Sequence, residues 1–271
     1  MSLHALQQRI KEELQEHLAV IANGRPAAEQ GPVYEEVEQC FQATACCALL
    51  VAADRSNFQK HLCWAALARR DFLRRSQEEG TPSDFRCARS RSEAFFCALA
   101  AGDIALAIEI GDLSPATWRP DGEYKDDFAY QYFLHQHLKR AEPGYREAVL
   151  QQLEEAVPGA DPSRFDVCRA LHQGAREAFE SALEALIDRH SLEMDGLRPQ
   201  SGDVPTFEPR SRVFIEGLAL LRIASEMGLH SEARTYRLCP WTVREGALET
   251  RPDDIFAEMA HLSGRRRSSA R

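Results

Sequence analysis

The chain lacks most of the local signatures that announce chemistry. It has no C-x-x-C pair, no G-x-S-x-G elbow and no glycine-rich strand–loop–helix unit. Those absences remove the local marks of a thiol redox motif, an α/β-hydrolase nucleophile and a phosphate cradle. No apolar run approaches the roughly 18 residues that a membrane-spanning helix needs. β-Branched residues are scarce and no stretch sustains apolar–polar alternation, so there is no strand signal. The first residues, "MSLHALQQRIKEELQEHL", lack a basic segment followed by an apolar core, and no signal peptide is expected.

What is present is ordinary for a globular protein. The 271 residues are 44% hydrophobic, 8% aromatic and 28% charged, enough to bury a full core without staples. The net charge of -9 disfavours nucleic acid and anionic membranes as partners and favours a basic one. The exception is the basic end "SGRRRSSAR" (263–271), expected to be a disordered, solvated tail. Of the eight cysteines, most sit in apolar runs such as "TACCALL" and "FFCALA". Cysteine behaves there as a small hydrophobe. Free thiols in a reducing, cytoplasmic compartment are expected.

Helical periodicity runs along the chain. Leu3, Leu6, Ile10, Leu14, Leu18 and Ile21 form one face of a first helix, stopped at "NGRP". A second helix is expected to begin near Pro32, with Glu35, Glu36 and Glu38 in its early turns. Its second half, "ATACCALLVAA", is apolar all round and should be buried. A third runs from about Ser56 to Glu79. Ser92 is placed to cap a helix that ends at Gly102, and Asp103 caps the next, which makes a hairpin with a minimal loop. After a long loop, "SPATWRPDGEYKDD", a helix carries Phe128, Tyr132 and Phe133, and a short one follows "AEPG". The spacing of Phe165, Cys168, His172, Ala175, Phe179, Ala182 and Leu186 predicts one long helix. "SRVFIEGLALLRIASEMGL" and "PDDIFAEMAHL" supply the last two. The fold class is all-α, a multi-helix bundle of antiparallel helix hairpins. Residues 1–262 are expected to form one domain, with 195–211 the place where it would divide.

Metal ligation finds little support. Glu258–His261 is a single Glu-x-x-His pair in a terminal helix. His135 and His137 are two apart and diverge on a helix. His172 lies on an apolar seam and is expected to be a hydrogen-bonded core histidine. Asp126–Asp127 and Asp253–Asp254 precede helical runs, where carboxylates serve as caps. No cofactor is expected, and the protein is not expected to be an enzyme.

The stretch "SEAFFCALAAGDIALAIEIGDLSPATWRPDGEYKDDFAYQYFLHQHLKR" (92–140) resembles immunity protein family forty-nine, from bacterial polymorphic toxin and type VI secretion systems. The resemblance rests on Phe95–Phe96, Ile104–Ile110, Glu123–Tyr124, Asp127–Phe128 and Tyr130–Phe133. "FEPRSRVFIEGLALLRIASEMGL" (207–229) is similar to the C-terminal helix of that family. "AGD" stands where the family pattern carries a basic–acidic pair. The resemblance implies an all-α cytoplasmic protein that binds and neutralises a cognate toxin. The alternative is a helical scaffold or adaptor that binds a peptide or protein partner.

If the partner is a toxin, the long loop and its flanks are the expected contact surface: Glu109, Asp112, Trp118, Asp121, Glu123, Tyr124, Asp126 and Asp127. Long loops in compact helical proteins are often functional, and exposed aromatics anchor interfaces. The competing arrangement folds Trp118 and Tyr124 onto the core and leaves the acids as caps.

Overall fold

The computed structural model describes residues 2–158, 161–201, 203–229, 234–244, 246, 248 and 250–259. Among them are eleven α-helices, a further helical turn at 255–259 and no strand; the one β-type pairing is an isolated bridge between Tyr236 and Cys239. The 263–271 tail and His261 lie outside the described residues.

Helix α1 (Leu3–Ala22) buries Leu6, Ile10, Leu14 and Ile21, the periodic stripe, against α2 (Ala27–Ala52). The apolar half of α2 is enclosed on all sides, from Cys40 to Leu49. It packs on α1, on α3 (Arg55–Glu78) and later on the short α10 (Phe207–Arg210). Helix α4 (Glu93–Ala101) lies between α3 and α11 (Ile215–Glu226), with every residue from Ala94 to Ala101 buried. Burial of each large apolar side chain contributes about 1.5–3 kcal/mol, offset by the entropy of ordering it. Two residues, Gly102 in the left-handed region and Asp103, join α4 to α5 (Ile104–Leu113). The Asp103 side chain accepts the Leu106 amide, the expected cap. The remaining helices are α6 (Lys125–Leu138), α7 (Pro143–Ala156), α8 (Ser163–Gln173) and α9 (Arg176–Leu197), each packed against the next in order. A last helical turn covers 255–259 and buries Phe256. All eight cysteines are free and buried.

Several elements differ from their sequence expectation. Helix α2 starts at Ala27, behind Pro26, so Pro32 sits inside the helix. Pro32 has no amide to give the Ala28 carbonyl, a missing bond near a helix start. Glu35, Glu36 and Glu38 therefore occupy the helix body. The long helix divides into α8 and α9 because Gly174 takes a left-handed backbone (φ 65°) and ends the first. The apolar spacing continues through the break because α8 and α9 pack on each other. Ser92 occupies the cap position of α4, yet its hydroxyl makes no capping bond and is buried without a partner among the described residues. His172 packs edge-on against Phe133, and its buried Nδ1 has no hydrogen-bond partner there.

Displacing Glu38 into the helix body has an energetic consequence. Its side chain is 5% exposed, and Oε1 has no hydrogen-bond partner among the described residues. Burial pushes its carboxyl up to about 8, against the opposing pull of Arg69. The native state thus keeps a proton that the unfolded chain releases above its ordinary value of 4.5. Stability contributed by this group is full below pH 4.5 and is lost as pH rises toward 8. Glu38→Gln should raise the melting temperature, with a gain on the order of a few kcal/mol at pH 8 and close to none at pH 5. Thermal melts of both proteins at the two pH values check this; an equal shift at both would show that Glu38 is ionised in the native state.

Candidate functional site: a pinned acidic loop beside a cleft

Between α5 and α6 the chain runs through residues 114–124, long enough to wander. Three anchors fix it. The first is Arg89, in a 3₁₀ turn over Arg89–Arg91. Its buried guanidinium donates to the carbonyls of Gly111 at 2.8 Å, Ser114 at 3.2 Å and Pro115 at 3.0 Å. It also lies over the Tyr132 ring, 5.0 Å from the centroid. Burial pulls its pKa down to about 10, with Tyr132, Glu123 and Asp112 pulling back, so the group stays charged at neutral pH. The second anchor is Arg119, which donates to the carbonyls of Pro82, Ser83 and Asp84. The third closes the far end. The Ser90 amide donates to Glu123 at 2.9 Å, and the Trp118 indole donates to the Glu123 carbonyl at 3.0 Å. The amides of Gly122 and Glu123 both return to the Arg119 carbonyl.

Beneath the loop, Gly111 of α5 lies against His135 of α6. A side chain at Gly111 would run into the imidazole, so glycine is required there for close approach. Arg89 lies 3.4 Å from His135 Nδ1. Burial first, then Arg89, lowers the His135 pKa to about 4. The ring is neutral at pH 7 and does not add to the positive charge of Arg89.

The eight residues expected at the contact surface separate into two groups. Glu109 pairs with Arg70 and Arg74 of α3. Asp112 pairs with Lys139 at 2.6 Å and lies 3.3 Å from His135. Both are on α5 and hold helices together. The other six gather at the loop. Trp118 is 41% exposed and Tyr124 78%, so neither ring folds onto the core. Asp121 is exposed in the turn, and it shares a groove with Glu123, Tyr124 and Asp127. A neighbouring groove takes in Tyr124, Asp126 and Asp127. Glu123 has a structural task, because it holds the Ser90 amide. Asp126 and Asp127 stand in the first turn of α6, where the helix dipole favours them. Asp127 also binds Arg164 at 2.7 Å; burial pushes its carboxyl up while that guanidinium pulls it down.

The sequence alone did not point to the loop's neighbours. Phe85 is partly exposed beside Gly122, with Arg86 and Arg91 over its ring. Arg164 of α8 meets Glu216 of α11, which also accepts the Tyr130 hydroxyl at 2.8 Å. The one visible cue was Glu216, a lone carboxylate in the otherwise apolar first half of α11. No group of metal-ligating side chains occurs among the described residues.

These features define a helical protein that presents acids and aromatic rings on a fixed loop. The sequence profile of the family described as Immunity protein 49 matches residues 34–240, well over half of the chain, so the protein belongs to that family. No curated protein and no solved structure matches it. No helix among the described residues is long and apolar enough to cross a membrane.

If Arg89 fixes the loop, Arg89→Met should loosen it. Removal of the guanidinium strands three carbonyls, at a cost of about 2–4 kcal/mol. Arg89→Lys should recover only part, because an ammonium cannot copy the planar fork. Trypsin is expected to cut at Arg119 far faster in Arg89→Met at a temperature where the core remains folded by circular dichroism. Cutting at the wild-type rate would show that the loop does not depend on Arg89.

Proposed function

We propose that this member of the Immunity protein 49 family neutralises a cognate toxin by stoichiometric binding, without catalysis, through the surface of loop 114–124 and the first turn of α6. The carrying observation is a backbone pinned by buried Arg89 while Trp118 and Tyr124 stay exposed. Exposed aromatics on a preordered backbone are what an interface anchor requires. Little chain entropy is then lost on association. Asp121 and Asp126, with the net charge of -9, favour a basic partner surface. Toxins that act on nucleic acids or nucleotides carry such surfaces where phosphates bind, and acids on the inhibitor steer association with them. The buried, free thiols suit action in the reducing cytoplasm.

Glu123 holds the loop, so a clean test leaves it intact. Asp121 is exposed and its reversal to Lys should change the melting temperature little, whereas Asp126→Lys gives up a helix-dipole interaction of about 0.3–1 kcal/mol, so the double variant should melt only slightly lower and stay folded. Association with the toxin encoded beside this gene should slow by about tenfold or more at low salt, and protection of cells should fall. A double variant with wild-type association rate, salt dependence and protection would remove this loop as the interface.

A further inference from the structure

The loop grooves continue into a cleft of about 440 Å³. Phe96 and Tyr130 form part of its wall, with Met194 and Leu197 of α9 and Phe214 before α11. His190 stacks on Phe214 with centroids 4.2 Å apart, and burial lowers its pKa, so the ring brings no charge at neutral pH. Four carboxylates, Glu93, Asp127, Glu193 and Glu216, line the cleft with two guanidiniums, Arg164 and Arg210. Both guanidiniums are already engaged, Arg164 with Glu216 and Asp127 and Arg210 with Glu93 at 2.8 Å. Glu193 pairs in turn with Arg189 at 2.7 Å, so around the cleft four carboxylates face three guanidiniums and a net negative charge remains beside the aromatic side chains. Such a site favours a cation with a flat face. The fold already holds one in this way: the Arg164 guanidinium lies 4.9 Å over the Tyr130 ring while its nitrogens bind carboxylates.

We propose that this cleft receives an arginine side chain from the protein partner that lands on the loop, a proposal that rests on the function given above. The guanidinium pairs through its planar fork with Glu93 and Glu193, whose side chains are half exposed, alongside their present partners Arg210 and Arg189. Its aliphatic stem covers Met194 and Leu197. A lysine has the charge but lacks the planar face, and a phosphate or a carboxylate is repelled.

The test uses the full chain and a pair of short capped peptides, Gly-Ser-Arg-Ser-Gly and the same peptide with citrulline in place of arginine. Citrulline keeps the shape and loses the charge. Amide chemical-shift titration should show the arginine peptide perturbing residues around the cleft, with the citrulline peptide about tenfold weaker or silent. Glu93→Gln with Glu193→Gln should weaken arginine-peptide binding by about tenfold. Leu197→Trp, at the partly exposed rim, should block it while leaving the melt unchanged. Equal behaviour of the two peptides, or shifts confined to a different face, overturns the proposal. The toxin provides the second arm. A cleft double variant that binds toxin with wild-type affinity, while Asp121→Lys with Asp126→Lys does not, overturns the cleft and leaves the loop standing. Loss of toxin affinity in the cleft variant alone supports the cleft and counts against the loop.

Discussion

The buried guanidinium of Arg89 is the constraint on which this surface depends. A charge taken out of water must recover its hydration from protein groups. Arg89 does so with three carbonyls, those of Gly111, Ser114 and Pro115. It thereby fixes where α5 stops and in which direction the next residues leave. Everything downstream follows from that exit. Arg119 reaches back to the carbonyls of 82–84, Glu123 meets the Ser90 amide, and Trp118 and Tyr124 are left facing water. Loose chain would lose about 1–2 kcal/mol of conformational entropy per residue on ordering at an interface. A pinned loop has met most of that cost during folding.

Charge on this face has two roles that should be kept apart. Glu109, Asp112, Asp127 and Glu216 are bound to cations of neighbouring helices and hold α3, α5, α6, α8 and α11 in place. Asp121 in the turn is exposed, and Glu93 and Glu193 stand half exposed at the cleft. The second set sets the field that an approaching protein meets. Substitutions in the first set should alter the scaffold; those in the second should alter the surface charge, and at Glu93 and Glu193 they also remove the pairs with Arg210 and Arg189.

Much of the fold was legible in the sequence because its signals are local. The α1 stripe, the enclosed half of α2, Gly102 and the Asp103 cap depend on spacing and backbone preference within a few residues, and they fall where expected. The family resemblance, carried by 92–140 and 207–229, was also sound, although the match extends over 34–240. Failures came where local rules gave two answers. Pro32 suits a first turn, but Pro26 stands at the cap. The seam from Phe165 to Leu186 kept its period across Gly174, because helices packed on each other bury the same face as one continuous helix. At the loop, acids and aromatics could be seen in order, but their employment could not. Whether Glu123 or Asp121 is free depends on Ser90, and whether the loop is fixed depends on Arg89. Arg164, His190 and Glu216 converge from helices far apart in sequence, and nothing local marks that convergence.

The central claim is that loop 114–124, with the first turn of α6, is ordered before binding and is the surface that meets the partner. Hydrogen–deuterium exchange of the full chain, alone and with the product of the neighbouring gene as the proposed toxin, tests both halves together. The account predicts slow exchange at the Gly122 and Glu123 amides in the free protein, since both are bonded to the Arg119 carbonyl. It predicts further slowing across 118–127 in the complex. Fast exchange of those amides in the free protein, or a footprint elsewhere with this loop unchanged, would contradict it.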